Sequence, residues 1–73
     1  MNFPERLVDL RKTNAVTQKY LAEKTGISEI GIRSYEGRRR QPTSDKLIAL
    51  ADFFNVSIDY LVGRTDNPNV LRN

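Results

Sequence analysis

Apolar residues fall along this chain in short helical stripes, separated by polar or glycine-containing stretches. Phe3, Leu7 and Leu10 stand at i, i+4 and i+7, with Glu5 and Asp9 on other faces, so residues 4–13 read as a first helix. Pro4 suits its first turn, where a missing N–H costs nothing. Asn14-Ala15 closes the helix, and Val16 leads as a core residue into Thr17, the expected N-cap of the second helix. Leu21, Ala22, Thr25, Ile32 and Tyr35 keep three- and four-residue spacing across an interruption at Gly26-Ile27-Ser28. Gly26 can end a helix in the left-handed conformation and Ser28 can cap the next, which predicts helices over 18–25 and 29–36 joined by a tight turn. Ala22 sits where the two must cross, and its single methyl lets the backbones approach.

The segment 37–42 is a polar loop. Thr43 or Ser44 then caps a fourth helix, whose first turn carries Asp45 in keeping with the helix dipole. Leu47, Ile48, Leu50, Ala51 and Phe54 form its expected buried face, and Asn55 ends it. Ser57 caps a fifth helix with Ile58 and Leu61 facing inward and Val62 either inward or on the outer face, and Gly63 stops it. No stretch alternates as a strand would. The expected fold is all-α, a compact five-helix bundle with residues 1–63 as one domain and 64–73 as a tail or linker.

With 73 residues and 38% hydrophobic content the chain supports one small core. It has no cysteine and no histidine, so disulfides, the usual zinc sites and the commonest general base are missing. Enzymatic chemistry, a metal and a cofactor are therefore not expected. The apolar runs are too short for a membrane span, and the first residues lack the pattern of a signal peptide, so a cytoplasmic address is expected. The net charge of +3 is mild, but Arg33, Arg38, Arg39 and Arg40 cluster tightly. A concentrated positive patch attracts polyanions, whereas scattered lysines mostly keep a domain soluble.

The order Gln18, Leu21, Ala22, Gly26, Ile27, Ile32, Tyr35 and Glu36 resembles the helix-turn-helix of the Cro/CI repressor family, the xenobiotic-response-element class of bacterial and phage regulators. The string ADFFNVSIDYLVG resembles the same family at its fourth and fifth helices. The likeness covers about Leu7 to Gly63 and implies a lambda-repressor-like domain that reads double-stranded DNA. In such a motif the second helix enters the major groove, where every base pair presents a distinct chemical pattern.

With Ile32 and Tyr35 inward, the solvent face of the third helix carries Ser28, Glu29, Ile30, Arg33 and Ser34. Arg33 can donate in parallel to guanine, Ile30 can pack on a thymine methyl, and Glu29 can accept from a cytosine amino group. Each has a plainer reading. Arg33 can pair with Glu29 one turn earlier or bind phosphate, Ile30 can lean on the second helix, and Ser34 is chemically ambiguous. By resemblance, Glu29, Ile30, Arg33 and Ser34 match the base-contacting positions of the family. Gln18 matches the glutamine that bonds a phosphate and braces the reading helix, and Arg11 with Glu36 matches a structural ion pair. Ser28, Arg38, Arg39 and Arg40 complete the expected phosphate contacts, which fix register while base contacts specify.

Three positions depart from the family pattern. Tyr20 stands where a glutamate would complete a capping box. Gly31 lies inside the reading helix, either a close-approach point or a local weakness. The loop glycine comes directly after Glu36, as Gly37, and Arg38 takes its usual place.

One such unit reads few base pairs, so a homodimer on an inverted repeat is expected. Tyr60, Val62, Val70 and Leu71 have no obvious place in so small a core and are the expected dimer surface. With Met1 so close to the first helix, no long arm is expected to reach around a duplex. The leading function is a transcriptional regulator, most simply a repressor. The alternative is the antitoxin half of a toxin–antitoxin pair, which would commonly carry an arm longer than the ten residues after Gly63. A general packaging protein would need a higher and more even positive charge.

Overall fold

The computed structural model describes residues 1–70. It contains five helices, α1 (Phe3–Thr13), α2 (Gln18–Thr25), α3 (Glu29–Glu36), α4 (Ser44–Phe54) and α5 (Ile58–Leu61), and no strand among the described residues.

Local chemistry sets most of the boundaries. α1 begins one residue earlier than Pro4 because Asn2 caps it: its side chain accepts from the Glu5 N–H at 3.1 Å while Glu5 accepts from the Asn2 N–H at 3.3 Å. This reciprocal box satisfies two donors that a helix start otherwise leaves open. At the other end the Asn14 side-chain amide donates to the Leu10 carbonyl at 2.7 Å. α2 has only half of such a box. Thr17 accepts from the Tyr20 N–H at 3.0 Å, and Tyr20 has no carboxylate to return the bond. Gly26 ends α2 at φ 75°, and Ser28 opens α3 by accepting from the Gly31 N–H at 2.9 Å. Asn55 ends α4 in the left-handed conformation, at φ 55°. Thr43 occupies the N-cap position of α4 without capping it; its hydroxyl donates to Asp45 instead.

One fully buried side chain comes from each helix: Leu7, Leu21, Ile32, Leu50 and Leu61. Each such burial contributes about 1.5–3 kcal/mol, so these five positions anchor the bundle. Leu10, Ala22, Ile27, Tyr35, Ala51 and Val56 fill between them, and Phe3, Val16, Leu47, Phe53, Phe54 and Tyr60 pack on the outside. α3 packs against both α2 and α1, while α4 packs against α2 and α5. The first and fourth helices therefore buttress the central pair.

Several inward assignments do not hold. Ile48 and Ile58 are exposed, at 47% and 42%, because only one side of α4 and of the single-turn α5 meets the core. Tyr60 and Val62, expected to be left over, are half-buried. The Tyr60 ring lies against Arg6, whose guanidinium stands 3.7 Å from the ring centroid. Val62 faces a cleft shared with Phe3 and Leu47. The residues after α5 return to the body: Ser57 donates its N–H to the Pro68 carbonyl at 3.0 Å, and Asp66 lies 3.5 Å from Arg6. Gly63 needs its glycine. It sits at φ 84°, and an added Cβ would fall 1.8 Å from the Met1 carbonyl oxygen. Val70 is exposed, and Leu71 lies outside the described residues.

Candidate nucleic-acid interface

The second helix of the central pair presents a narrow outer face. Ile30 is 67% exposed, with Glu29 and Arg33 beside it one helical turn apart. Ile30 does not lean on α2 and is free to meet a partner. Arg33 Nη2 donates to Glu29 Oε2 at 3.1 Å, both side chains about half open to solvent. That pair occupies one edge of the guanidinium and leaves its other N–H donors free.

Ser34, expected beside them, is buried. The reason is that α3 is covered on two flanks, by α2 and by α1, so its outer face is narrower than the Ile32–Tyr35 stripe implies. Gly31 is buried as well. A Cβ there would meet Ser28 Oγ at 3.0 Å and Ile27 Cγ2 at 3.1 Å, so glycine at 31 serves the packing of the turn rather than an approach from outside.

The C-terminal end of α3 is held by a second arginine–carboxylate pair. Arg11 grips Glu36 with two parallel hydrogen bonds, Nε to Oε2 at 2.7 Å and Nη2 to Oε1 at 3.0 Å, and sends Nη1 to the Val16 carbonyl at 3.2 Å. Gln18 Nε2 adds a third donor to Glu36 Oε1 at 3.0 Å. A carboxylate at a helix C-terminus opposes the helix dipole, and these donors offset that penalty. The hydrogen bonds with Glu36 hold the Arg11 pKa above its already high ordinary value, against the desolvation that lowers it. The network ties α1, the turn before α2, and α2 itself to the end of α3. Gln18 thus braces α3, and that bond uses one of its two amide hydrogens.

Next comes the arginine loop. Arg38, Arg39 and Arg40 are exposed, and none pairs with a carboxylate among the described residues. Arg38 adopts φ 64°, the left-handed conformation, while Gly37 sits at an ordinary φ of −86°. The structural demand for glycine therefore falls at 38, where this chain has arginine. Asn is the residue most at ease there after glycine; arginine is strained.

Arg6 is a residue that sequence reasoning missed. It is buried and stacked on Tyr60, and its Nε has no hydrogen-bond partner among the described residues. Helical periodicity does place position 6 on the stripe, three residues after Phe3 and four before Leu10; its charge hides it. Phe53 was missed as well. It is half-buried and its ring makes edge contacts with Tyr20 and Phe54.

A helix-turn-helix that exposes one face of its second helix beside an unpaired arginine loop defines the class: a DNA-binding helix-turn-helix domain. The comparisons with known proteins agree. A family model described as helix-turn-helix matches residues 7–61, and the chain belongs to that family, in the Cro/CI-type class that its motifs resemble. It is 43% identical over 65 residues to YobD, an uncharacterized HTH-type transcriptional regulator of Bacillus subtilis, covering 89% of this chain and 58% of YobD. It is 39% identical over 64 residues to the cryptic phage CTXphi transcriptional repressor RstR of Vibrio cholerae, covering 88% of this chain and 57% of RstR. Among solved structures, the P22 c2 repressor in complex with a synthetic operator superposes with a TM-score of 0.80 at 29% identity, over 85% of this chain and 94% of that one. The chain spans about half the length of the curated relatives it matches. Among the described residues no helix is long and apolar enough to cross a membrane.

Proposed function

We propose that this chain is a sequence-specific double-stranded DNA-binding transcriptional regulator, acting as a repressor by occluding its operator. The observation that carries the reading is the placement of the free Ile30 and the Glu29–Arg33 pair on the only open face of α3, directly before three unpaired arginines. Arg33 reads guanine through its free donors, Ile30 packs on a thymine methyl, and Glu29 accepts from a cytosine amino group or rejects sequences that offer no donor. Ser34 is not among the readers.

Phosphates are held from both sides of this face. Gln18 offers its spare amide hydrogen and Ser28 the hydrogen of its capping hydroxyl. Arg38, Arg39 and Arg40 supply charge. The chain acts by binding rather than by catalysis, in the cytoplasm where such an operator lies.

Two copies on an inverted repeat give the reading useful length. The open apolar residues Ile48, Ile58 and Val70 line one groove, together with Val56 and the α4–α5 turn, and that groove is the surface for the second copy. Of the residues expected there from the sequence, Val70 remains; Tyr60 packs against Arg6 and Val62 faces a different cleft.

Selection from random duplex DNA at near-physiological salt tests the function. An enriched inverted repeat with one-turn spacing is expected. Recovery of no common sequence, with weak binding that vanishes steeply as salt rises, would reduce the chain to phosphate attraction alone. Sedimentation of Ile58→Asp tests the dimer surface, since a dimer unaffected by that charge would move the interface elsewhere.

A further inference from the structure

A second concavity lies beside the arginine loop, about 360 Å³ in volume, within the range of small-molecule sites. It is an open cleft bordered by the start of α1, the 37–42 loop, α4 and the end of α5. Its apolar side is Phe3, Pro4, Pro42, Leu47 and Val62, all half-buried, so each keeps apolar surface that nothing among the described residues covers. Asn2, Gln41, Arg38 and Arg40 complete the lining; both arginines are exposed and neither has a carboxylate partner among the described residues.

We propose that this cleft binds a small amphipathic anion, with an aromatic or short acyl body and a single carboxylate or phosphate group. The two halves of the lining select that chemistry together. A bare inorganic anion would leave five apolar residues uncovered, and a neutral apolar molecule would leave both guanidiniums unused. Arg38 strengthens the assignment. Its backbone is held at φ 64°, where glycine would be easier, so a cation is kept at the cleft despite a conformational cost.

The consequence for DNA rests on the proposed function above. Arg38 and Arg40 are two of the three arginines assigned there to phosphate, so an anion in the cleft competes with the operator for them. A molecule of this class acts as an inducer.

The test is an NMR titration of the full chain, without DNA, with naphthoate and with its neutral counterpart naphthamide. Naphthoate should saturate with a Kd of about a millimolar, the range expected for a ligand of that size. Shifts should concentrate at Asn2, Phe3, Arg40, Gln41, Leu47 and Val62, and naphthamide should bind more weakly. Arg38→Gly, which suits the left-handed backbone and keeps the fold, should weaken naphthoate by about two- to fivefold and leave naphthamide unchanged. Shifts that never saturate, or that are as large at Arg33 and Arg39 as in the cleft, would overturn the site. So would equal naphthoate affinity in Arg38→Gly. Saturating naphthoate should also weaken duplex binding, and unchanged duplex affinity would refute the competition. Duplex binding measured without naphthoate keeps the two readings apart: its loss would count against the regulator and leave the cleft standing, whereas intact duplex binding without naphthoate binding would do the reverse.

Discussion

The two ends of α3 carry the same chemistry, an arginine paired with a glutamate, in opposite settings. At the C-terminal end Arg11 and Glu36 are 17% and 8% exposed in their side chains, doubly bonded and joined by Gln18. At the N-terminal end Arg33 and Glu29 are 56% and 42% exposed and share a single bond along one helix. Desolvated charges depend on each other, because removing one strands its partner in a poor solvent. Exposed charges are rehydrated when separated, so their pair is worth little and can be exchanged for another partner. The first pair therefore holds α3 in place, and the second is free to exchange partners, as the proposed reading requires.

Mutations at the two ends should separate these roles. Glu36→Ala leaves Arg11 and Gln18 without their acceptor and should cost about 3 kcal/mol, at the low end for a buried pair because Arg11 keeps some solvent. In a domain this small each kcal/mol lost lowers the Tm by about 4–8 °C, which thermal unfolding reads directly. DNA affinity should fall too. An unchanged Tm would place the Arg11–Glu36 pair with ordinary surface pairs and erase the contrast.

Arg33→Ala is the complementary variant. Stability should change by less than about 0.5 kcal/mol, while discrimination at one base pair falls by about 1–3 kcal/mol. Competition binding with single-base operator variants measures this, and a uniform loss over all sequences would make Arg33 a phosphate contact.

Arg38→Gly should split the two properties with opposite signs. Relief of the left-handed strain should raise stability by about 0.5–1 kcal/mol. Loss of one cation should flatten the dependence of log K on log salt by about 1. Denaturant unfolding and a salt series would show both, and a less stable variant would mean that the Arg38 side chain holds the loop.

The smallest effect belongs outside α3. The Thr43 hydroxyl holds the Asp45 carboxyl below its ordinary pKa of 3.8, so the ionised form favours the folded state. That contribution is present above pH 3.8 and is lost as the pH falls through the lowered folded value. Asp45→Asn should remove this slope from stability measured between pH 5 and pH 2, and an identical acid profile in the variant would dismiss the contact.

Helix boundaries were legible wherever a cap residue stood at a stripe's edge. Gly26, Ser28, Asn55 and Ser57 act within a few residues, so their effects do not depend on the rest of the fold. Asn2 is such a signal too, followed by Glu5 three residues later, and the apolar stripe drew attention past it. The Arg11–Glu36 pair was legible only through family resemblance, since no local rule joins residues that far apart in sequence. The strain at Arg38 could be anticipated as a displaced glycine, and the backbone shows that the left-handed turn stays at 38 while the glycine does not.

The order of apolar and capping residues by itself determined five helices, the turn at Gly26 and one core residue from each helix, because periodicity and capping act over single turns. The tertiary structure alone decided how wide the open face of α3 is. Ser34 is buried because a second helix covers that flank, Gly31 because the Ile27–Ser28 turn folds against it, and Ile48 and Ile58 are open because nothing among the described residues covers theirs. A stripe records which residues can be buried; which of them are depends on how many neighbours a helix packs against, and that is a property of the whole bundle.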